Sequence, residues 1–340
     1  MSHKRVLIVY TGGTIGMVPG DNGLVPSAGF ETLLRQRLGE RLETLPAFDL
    51  VELKPLIDSA ELVPTQWNSV AEAVVCRYED YDGFVVLHGT DTLAYTASAL
   101  SFMLQGLDKP VILTGSQIPL SRARNDAEAH LLAALELAAR PDIHEVCLYF
   151  NGRLLRGNRS VKLDSSALAA FDAPNFPALG EVGIDICLRP DLLLPVAPRN
   201  FILPPFDNRA VAVLRLFPGI QVDLLQAVLN QPGLRALILQ SYGVGNAPVM
   251  TPGLLDTLAA AVSRGILVVN LSQCARGGVA PGTYATGAAL AQAGVIPGAD
   301  LTLEAAFAKL HWLLAQGKTP AEGDALMRRA LCGEQSGESA

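Results

Sequence analysis

The chain has 340 residues, half of them hydrophobic and 17% charged, with a mean hydropathy of +0.30, which excludes a disordered chain and favours two compact domains. A net charge of −7 and a pI near 5.3, with no basic run and no interleaving of aromatic and basic residues, lack the electrostatic footprint of a nucleic-acid binder. The five histidines and five cysteines show no CxxC or HxxxH spacing, so no metal site is expected, and an odd number of scattered cysteines fits a reducing compartment.

Only MSHKR precedes the first apolar run, VLIVY, which is too short for a signal h-region and is followed at once by glycines. No stretch is long and apolar enough to span a bilayer, and a cytoplasmic protein is expected. Strands are predicted at 6–10, 83–89, 110–115 and 145–152. They are continuous apolar runs, as in central parallel strands covered on both faces. A helix is predicted at 124–140, with Asn125 and Glu128 as a capping box and Leu131, Leu132 and Leu135 on one face. His130, inside it, reads as an ordinary surface or hydrogen-bonded histidine.

Residues 189–210 hold five prolines and no periodicity, which predicts a linker or crossover. Beyond it come strands at 210–217, 234–240 and 265–270. A helix at 251–265 should start on Thr251 and Pro252 and stop at Gly265, and another at 301–316 should stop at Gly317. The tail after Gly333 is polar and should fray. The expected fold is α/β with two domains: a larger N-terminal one at 1–188 with a parallel-rich sheet, a linker at 189–210, and a smaller C-terminal α/β domain at 211–340.

Four polar clusters follow the strands of the first half. They are TGGTIG (11–16), IDS (57–59), HGTDT (88–92) and, after a longer loop, RGNRSVK (156–162). TGGTIG is not a P-loop, because it lacks the GK[ST] ending. Nor is it the GxGxxG fingerprint, because Thr14 stands where the second glycine would clear room for a pyrophosphate. The turn presents a hydroxyl, although two glycines turning a chain beside capping threonines would be structural alone. In HGTDT, a helix N-cap would account for Asp91 or Thr92, but capping needs one side-chain oxygen and Thr90, Asp91 and Thr92 supply three. A threonine hydroxyl is a weak nucleophile and needs a base. A deprotonated lysine can serve, helped by burial and opposed by an adjacent carboxylate. Lys162 is the best-placed lysine, although lysines mostly lie on the surface.

TGGTIG with HGTDT resembles the bacterial-type L-asparaginase family. DGFVVLHGTDTLAYTASALSFML, KPVILTGSQIP, RGNR and SYGVGNAP resemble its cytoplasmic type I branch, and the likeness runs from about residue 5 to 330. The resemblance implies hydrolysis of the side-chain amide of L-asparagine to L-aspartate and ammonia, without cofactor or metal. It implies Thr14 as the nucleophile, forming a β-aspartyl ester. Thr90, Lys162 and Asp91 would form a second catalytic set, in which Thr90, activated by Lys162, polarises the attacking water or assists proton transfer. Asp91 would also take the substrate ammonium, with Ser59 and Asp58 holding the α-carboxylate and amine end. Backbone N–H groups near the glycine turn and Thr90 would hold the oxyanion. A homodimer or homotetramer is implied, with Asn246 of YGVGN approaching a partner's site, although an asparagine in a glycine-rich loop is also an ordinary turn former.

At one place the chain departs from the family. The loop after the first strand normally carries a tyrosine that contacts the nucleophile, and here that position is Leu24. A leucine cannot shuttle a proton, so Tyr284 in PGTYATG becomes the candidate substitute, with a packed loop tyrosine as the alternative. Two other readings compete. One is a catalytically weak amino-acid-binding or regulatory homologue, which Leu24 favours and the intact Thr14, Thr90, Asp91 and Lys162 oppose. The other is the asparaginase-like subunit of a tRNA-dependent amidotransferase, disfavoured by the acidic balance and by a first strand that begins near residue 6.

Overall fold

The structure, a computed structural model, describes residues 4–20, 23–26, 29–280 and 285–336. It divides into two compact units, Met1–Leu203 and Pro204–Ala340.

The first unit is built on one eight-stranded sheet. Five strands are parallel: β1 (Arg5–Tyr10), β2 (Ala47–Glu52), β3 (Gly83–Leu87), β4 (Val111–Thr114) and β5 (Val146–Phe150), in the order β2-β1-β3-β4-β5. The apolar runs are continuous because helices cover both faces. Val6, Ile8, Val85 and Ile112 pack with α1 (Phe30–Leu38) and α4 (Ala127–Ala138), while α2 (Trp67–Val75) and α3 (Leu93–Met103) pack on the sheet's other side. The chain leaves β1 for the edge strand β2 and returns to β3 on β1's other side. The connections therefore part company at the carboxyl ends of β1 and β3, where an open α/β sheet leaves a crevice. Edge strand β2 escaped the sequence reading because its run, AFDLVE, is half-exposed and interrupted by Asp49 and Glu52.

The expected longer loop before RGNRSVK is replaced by a hairpin. Asn151 and Gly152 both take left-handed φ, 46° and 81°, and turn β5 straight into the antiparallel β6 (Arg153–Arg156). An Asn-Gly pair between apolar runs is the usual two-residue hairpin signal. Beyond β6 the sheet continues through β7 (Gly180–Val182) and β8 (Ile186–Leu188). Lys162 then arrives on a short ribbon in which Val161–Lys162 pairs with Phe171–Asp172. The proline-rich stretch is tied down within the first unit as far as Leu203, and its remainder, from Pro204, belongs to the second. Asn200–Phe201 pairs with Leu104–Gln105, and the Leu194 N–H donates to Glu145, whose carboxylate is buried against Arg156 at 2.7 Å. In α4, Asn125 accepts the Glu128 N–H at 3.0 Å, but the box is not reciprocal, because the Glu128 carboxylate pairs with Arg41 instead.

The second unit is a smaller parallel sheet, β9 (Val211–Arg215), β10 (Ala236–Ser241), β11 (Leu267–Ser272) and β12 (Ile296–Pro297), in sequential order. One face packs on α5 (Val222–Leu229), α6 (Leu254–Ser263) and α7 (Ala285–Gln292). The other packs on α8 (Leu303–Ala315) and α9 (Pro320–Met327). Thr251 does not cap α6. That helix begins after Gly253, in a left-handed conformation, and Thr251 contributes only its carbonyl, to the Leu254 N–H. Helix α8 is capped by Thr302, whose hydroxyl accepts the Ala305 N–H at 3.0 Å.

The residues just after Gly333 do not fray. Glu334 is fully buried and lies 2.7 Å from the equally buried Lys309 of α8. Its carboxylate also accepts the N–H groups of Leu331 and Cys332, and the Lys309 ammonium donates to the carbonyls of Met327 and Arg329. A buried pair contributes little over an apolar one, but removing one partner strands the other charge, at a cost of about 3–5 kcal/mol. Glu334→Ala is therefore expected to lower unfolding stability by about that amount in urea melts, while removing Arg189 from its exposed pair with Asp191 leaves the melt where it was. A silent Glu334→Ala would mean that the clasp holds nothing.

Candidate active site

Three loops meet at the ends of β1, β2 and β3. The Thr11 N–H and hydroxyl both bond the Leu87 carbonyl, at 2.9 and 3.0 Å, and the Ile57 N–H bonds the Thr11 carbonyl at 2.7 Å. These bonds bring TGGTIG against HGTDT on one side and IDS on the other. Gly13 has φ 90°, and a Cβ there would lie 2.4 Å from both the N and the Cα of Gly89. A Cβ on Gly89 would lie 2.3 Å from the Ser59 hydroxyl. No side chain fits at either place, so backbone rests on backbone. Thr14 and Thr90, the next residue in each loop, are thereby carried to the two sides of a single contact.

Lys162 joins this cluster from the ribbon. Its ammonium is 2.9 Å from the Thr90 hydroxyl and 2.8 Å from the Asp91 carboxylate. The lysine side chain is 20% exposed and the aspartate 61%, so the pair sits at the rim of the site, with Thr90 buried behind it. Ser59 is buried too, and its carbonyl accepts the Thr92 hydroxyl at 2.7 Å. That bond is why Thr92, although it stands at the N-cap of α3, has no capping hydrogen bond. Asp58 is exposed, and one carboxylate oxygen caps the short turn Ser59–Glu61 through the Ala60 N–H at 3.1 Å.

The sequence reading missed two residues of the site. Gln117, in TGSQ beyond β4, accepts the Thr90 hydroxyl at 3.3 Å and donates to the carbonyls of Ser165 and Ala167, next to the Lys162 ribbon. Asp126 fixes it in turn, accepting the N–H groups of Gln117 and Ile118 at 2.9 Å each. A polar pair at a strand's carboxyl end was the available signal. The second is His88, a residue of HGTDT that was read only as one of five scattered histidines. It is buried at the end of β3, and burial pulls its pKa down to about 4. His130 is likewise buried and hydrogen-bonded, to the Gly115 carbonyl and the Asn151 N–H, as the sequence suggested for a histidine without a chemical role.

Leu24 lies on the strand Gly23–Pro26, opposite Pro19 of Met17–Gly20. Tyr284 falls outside the described residues. Asn246 belongs to the second unit, where its side-chain oxygen accepts the Thr286 hydroxyl at 2.6 Å. Among the described residues no group of three or more His, Cys, Asp or Glu side chains could hold a metal ion, and no helix is long and apolar enough to cross a membrane.

Residues 5–192 match a family model described as Asparaginase, N-terminal, and residues 210–327 one described as Glutaminase/Asparaginase C-terminal domain. The chain is 49% identical over 320 residues to L-asparaginase 1 of Escherichia coli K12, covering 93% of each. It is 41% identical over 335 residues to the human 60 kDa lysophospholipase, covering 92% of this chain and 58% of that one. The crystal structure of L-asparaginase I from Vibrio cholerae superposes with a TM-score of 0.90 at 45% identity, covering 98% of this chain and 100% of that one.

The glycine contact makes one mutation diagnostic. Gly13→Ala must separate the loops that carry Thr14 and Thr90, and displacement of reacting groups by an ångström costs about 100-fold in rate. Whatever turnover the wild type supports should fall by at least about that factor, with the far-ultraviolet circular dichroism unchanged. Full turnover in folded Gly13→Ala would refute the close approach.

Proposed function

The chain belongs to the asparaginase family, and from that premise we propose that Thr14, Thr90, Asp91 and Lys162 carry out the reaction of an L-asparagine amidohydrolase. The overall reaction converts L-asparagine and water to L-aspartate and ammonia. The observation that supports this assignment is the Lys162 amine shared between the Thr90 hydroxyl and the Asp91 carboxylate, beside the loop of Thr14.

The Thr14 oxygen adds to the side-chain carbonyl carbon, the carbonyl oxygen takes negative charge, and backbone N–H groups of the two glycine loops receive it. Collapse expels the amide nitrogen, which receives the proton given up by the Thr14 hydroxyl and leaves as ammonia, and a β-aspartyl ester remains. Water then attacks the ester and regenerates the Thr14 hydroxyl. Lys162 acts on the Thr90 hydroxyl as base, and the substrate α-ammonium pairs with Asp91, a charge-assisted contact. Ser59 and Asp58 hold the rest of the amino-acid end, the serine as donor to the carboxylate and the aspartate toward the ammonium. Gln117 accepts the Thr90 O–H and so orients that hydroxyl, whose oxygen faces Lys162.

We also propose a cytoplasmic homo-oligomer, dimer or tetramer, in which Asn246 faces a partner's site. This reading rests on the resemblance of KPVILTGSQIP, RGNR and SYGVGNAP to the cytoplasmic type I branch. Leu24 leaves the nucleophile without the family's phenol, and Tyr284 is the substitute we propose.

Purified protein is expected to release ammonia from L-asparagine, read in a coupled assay across pH 6–10. Thr14→Ala and Lys162→Met should each lower turnover by about 1,000-fold or more, as for parts of one coupled system. Binding of asparagine without ammonia release would favour the amino-acid-binding reading, and near-normal rates in either variant would overturn the assignment. Leu24→Tyr is expected to raise turnover, and Tyr284→Phe to lower it. If neither changes the rate, no phenol limits this enzyme.

A further inference from the structure

We infer that His88 is a positioning residue that aims the backbone N–H of Thr90 into the site, an inference that rests on the hydrolase reading above. The ring lies 2.8 Å through Nδ1 from the Gly89 carbonyl and 3.0 Å through Nε2 from the hydroxyl of Thr96 on α3. A carbonyl can only accept, so Nδ1 carries the proton and Nε2 accepts the threonine hydroxyl. Thr96 is fully buried and His88 is 1% exposed, so both bonds lie in the dry interior between β3 and α3. The ring is thereby locked in one tautomer and one orientation.

The consequence passes through one peptide plane. Among the described residues only Lys54–Pro55 is cis, so the Gly89–Thr90 peptide is trans and its C=O and N–H point in opposite directions. His88 draws the carbonyl toward the interior, and the Thr90 N–H must face the other way. Among the described residues that N–H meets no backbone acceptor. On the hydrolase reading it serves the amide oxygen of a substrate attacked by Thr14, which gains its negative charge beside the contact of Gly89 with Gly13. Glycine at 89 makes the restraint necessary, since a residue without Cβ would let this peptide turn over freely. His88 touches neither substrate nor nucleophile. Its contribution is to hold a donor in place before the charge appears, which is where preorganised donors act.

The test separates this role from simple core filling by comparing kcat with binding. His88→Leu keeps the bulk and removes the donor. Its kcat for L-asparagine should fall by about 10–100-fold, with KM and the dissociation constant for L-aspartate within threefold of wild type. His88→Asn, which returns an N–H to the place of Nδ1, should recover most of that loss. Thr96→Val, near in volume but unable to fix the tautomer, should fall between them, and Thr96→Ser should match wild type. If His88→Leu does not fold, the valine and serine variants at 96 carry the comparison. Wild-type kcat in Thr96→Val, or parallel losses in kcat and aspartate affinity, would overturn the inference. A wild-type protein that binds asparagine and releases no ammonia would instead overturn the hydrolase reading, a result seen before any variant is made.

Discussion

The site depends on the contact between two backbones at Gly13 and Gly89, where neither glycine has room for a Cβ. The sheet order makes this contact possible. With β1 and β3 adjacent and their connections leaving in opposite directions, the two carboxyl-terminal loops meet over an open crevice. The apolar runs of β1 and β3 fix the register of those loops, and bonds from Thr11 to Leu87 extend it one residue beyond the sheet. Any residue larger than glycine at 13 would move Thr14 away from Thr90. The chemistry is thus set by packing that involves no reactive side chain.

Around that contact the polar groups form two layers. The buried layer consists of Thr90, His88, Thr96, Ser59 and Asp126, tied to their surroundings through side-chain and backbone hydrogen bonds. The outer layer is Asp91 and Asp58, both exposed and both acidic. An acidic rim suits a small ammonium-bearing substrate, because a carboxylate facing an ammonium makes a charge-assisted contact. Lys162 is at the boundary and touches both layers, the Thr90 hydroxyl on one side and the Asp91 carboxylate on the other.

Much of this is legible in the sequence, and the rest is hidden for identifiable reasons. The central strands and the clusters TGGTIG and HGTDT stand out because continuous apolar runs end abruptly in glycine and hydroxyl residues. Edge strand β2 is hidden by the same logic: a strand half in water has no continuous run to find. The β5–β6 turn carried its Asn-Gly signal in plain view, and its misreading as a loop came from ending the strand at Gly152. Thr251 met the compositional rule for a cap, yet Gly253 in a left-handed turn begins the helix two residues later. Glu334 looked like a frayed tail residue because nothing local to it reveals Lys309, 25 positions upstream. Gln117 and His88 share that limitation. Their roles come from groups brought near by the fold, the Lys162 ribbon for one and α3 for the other.

The leucine at 24 sharpens the division of labour. A phenol near the nucleophile would supply a proton path on the Thr14 side, and this chain carries none in the strand Gly23–Pro26. On the Thr90 side, Lys162 and Gln117 lie 2.9 and 3.3 Å from the Thr90 hydroxyl, and Asp91 lies 2.8 Å from the Lys162 amine. On the reading proposed above, in which Asp91 receives the substrate ammonium, Lys162 touches both that carboxylate and the Thr90 hydroxyl, so one side chain links substrate recognition to the hydroxyl. A free α-ammonium is then part of what the site recognises, which separates free asparagine from an amide whose α-amine is blocked.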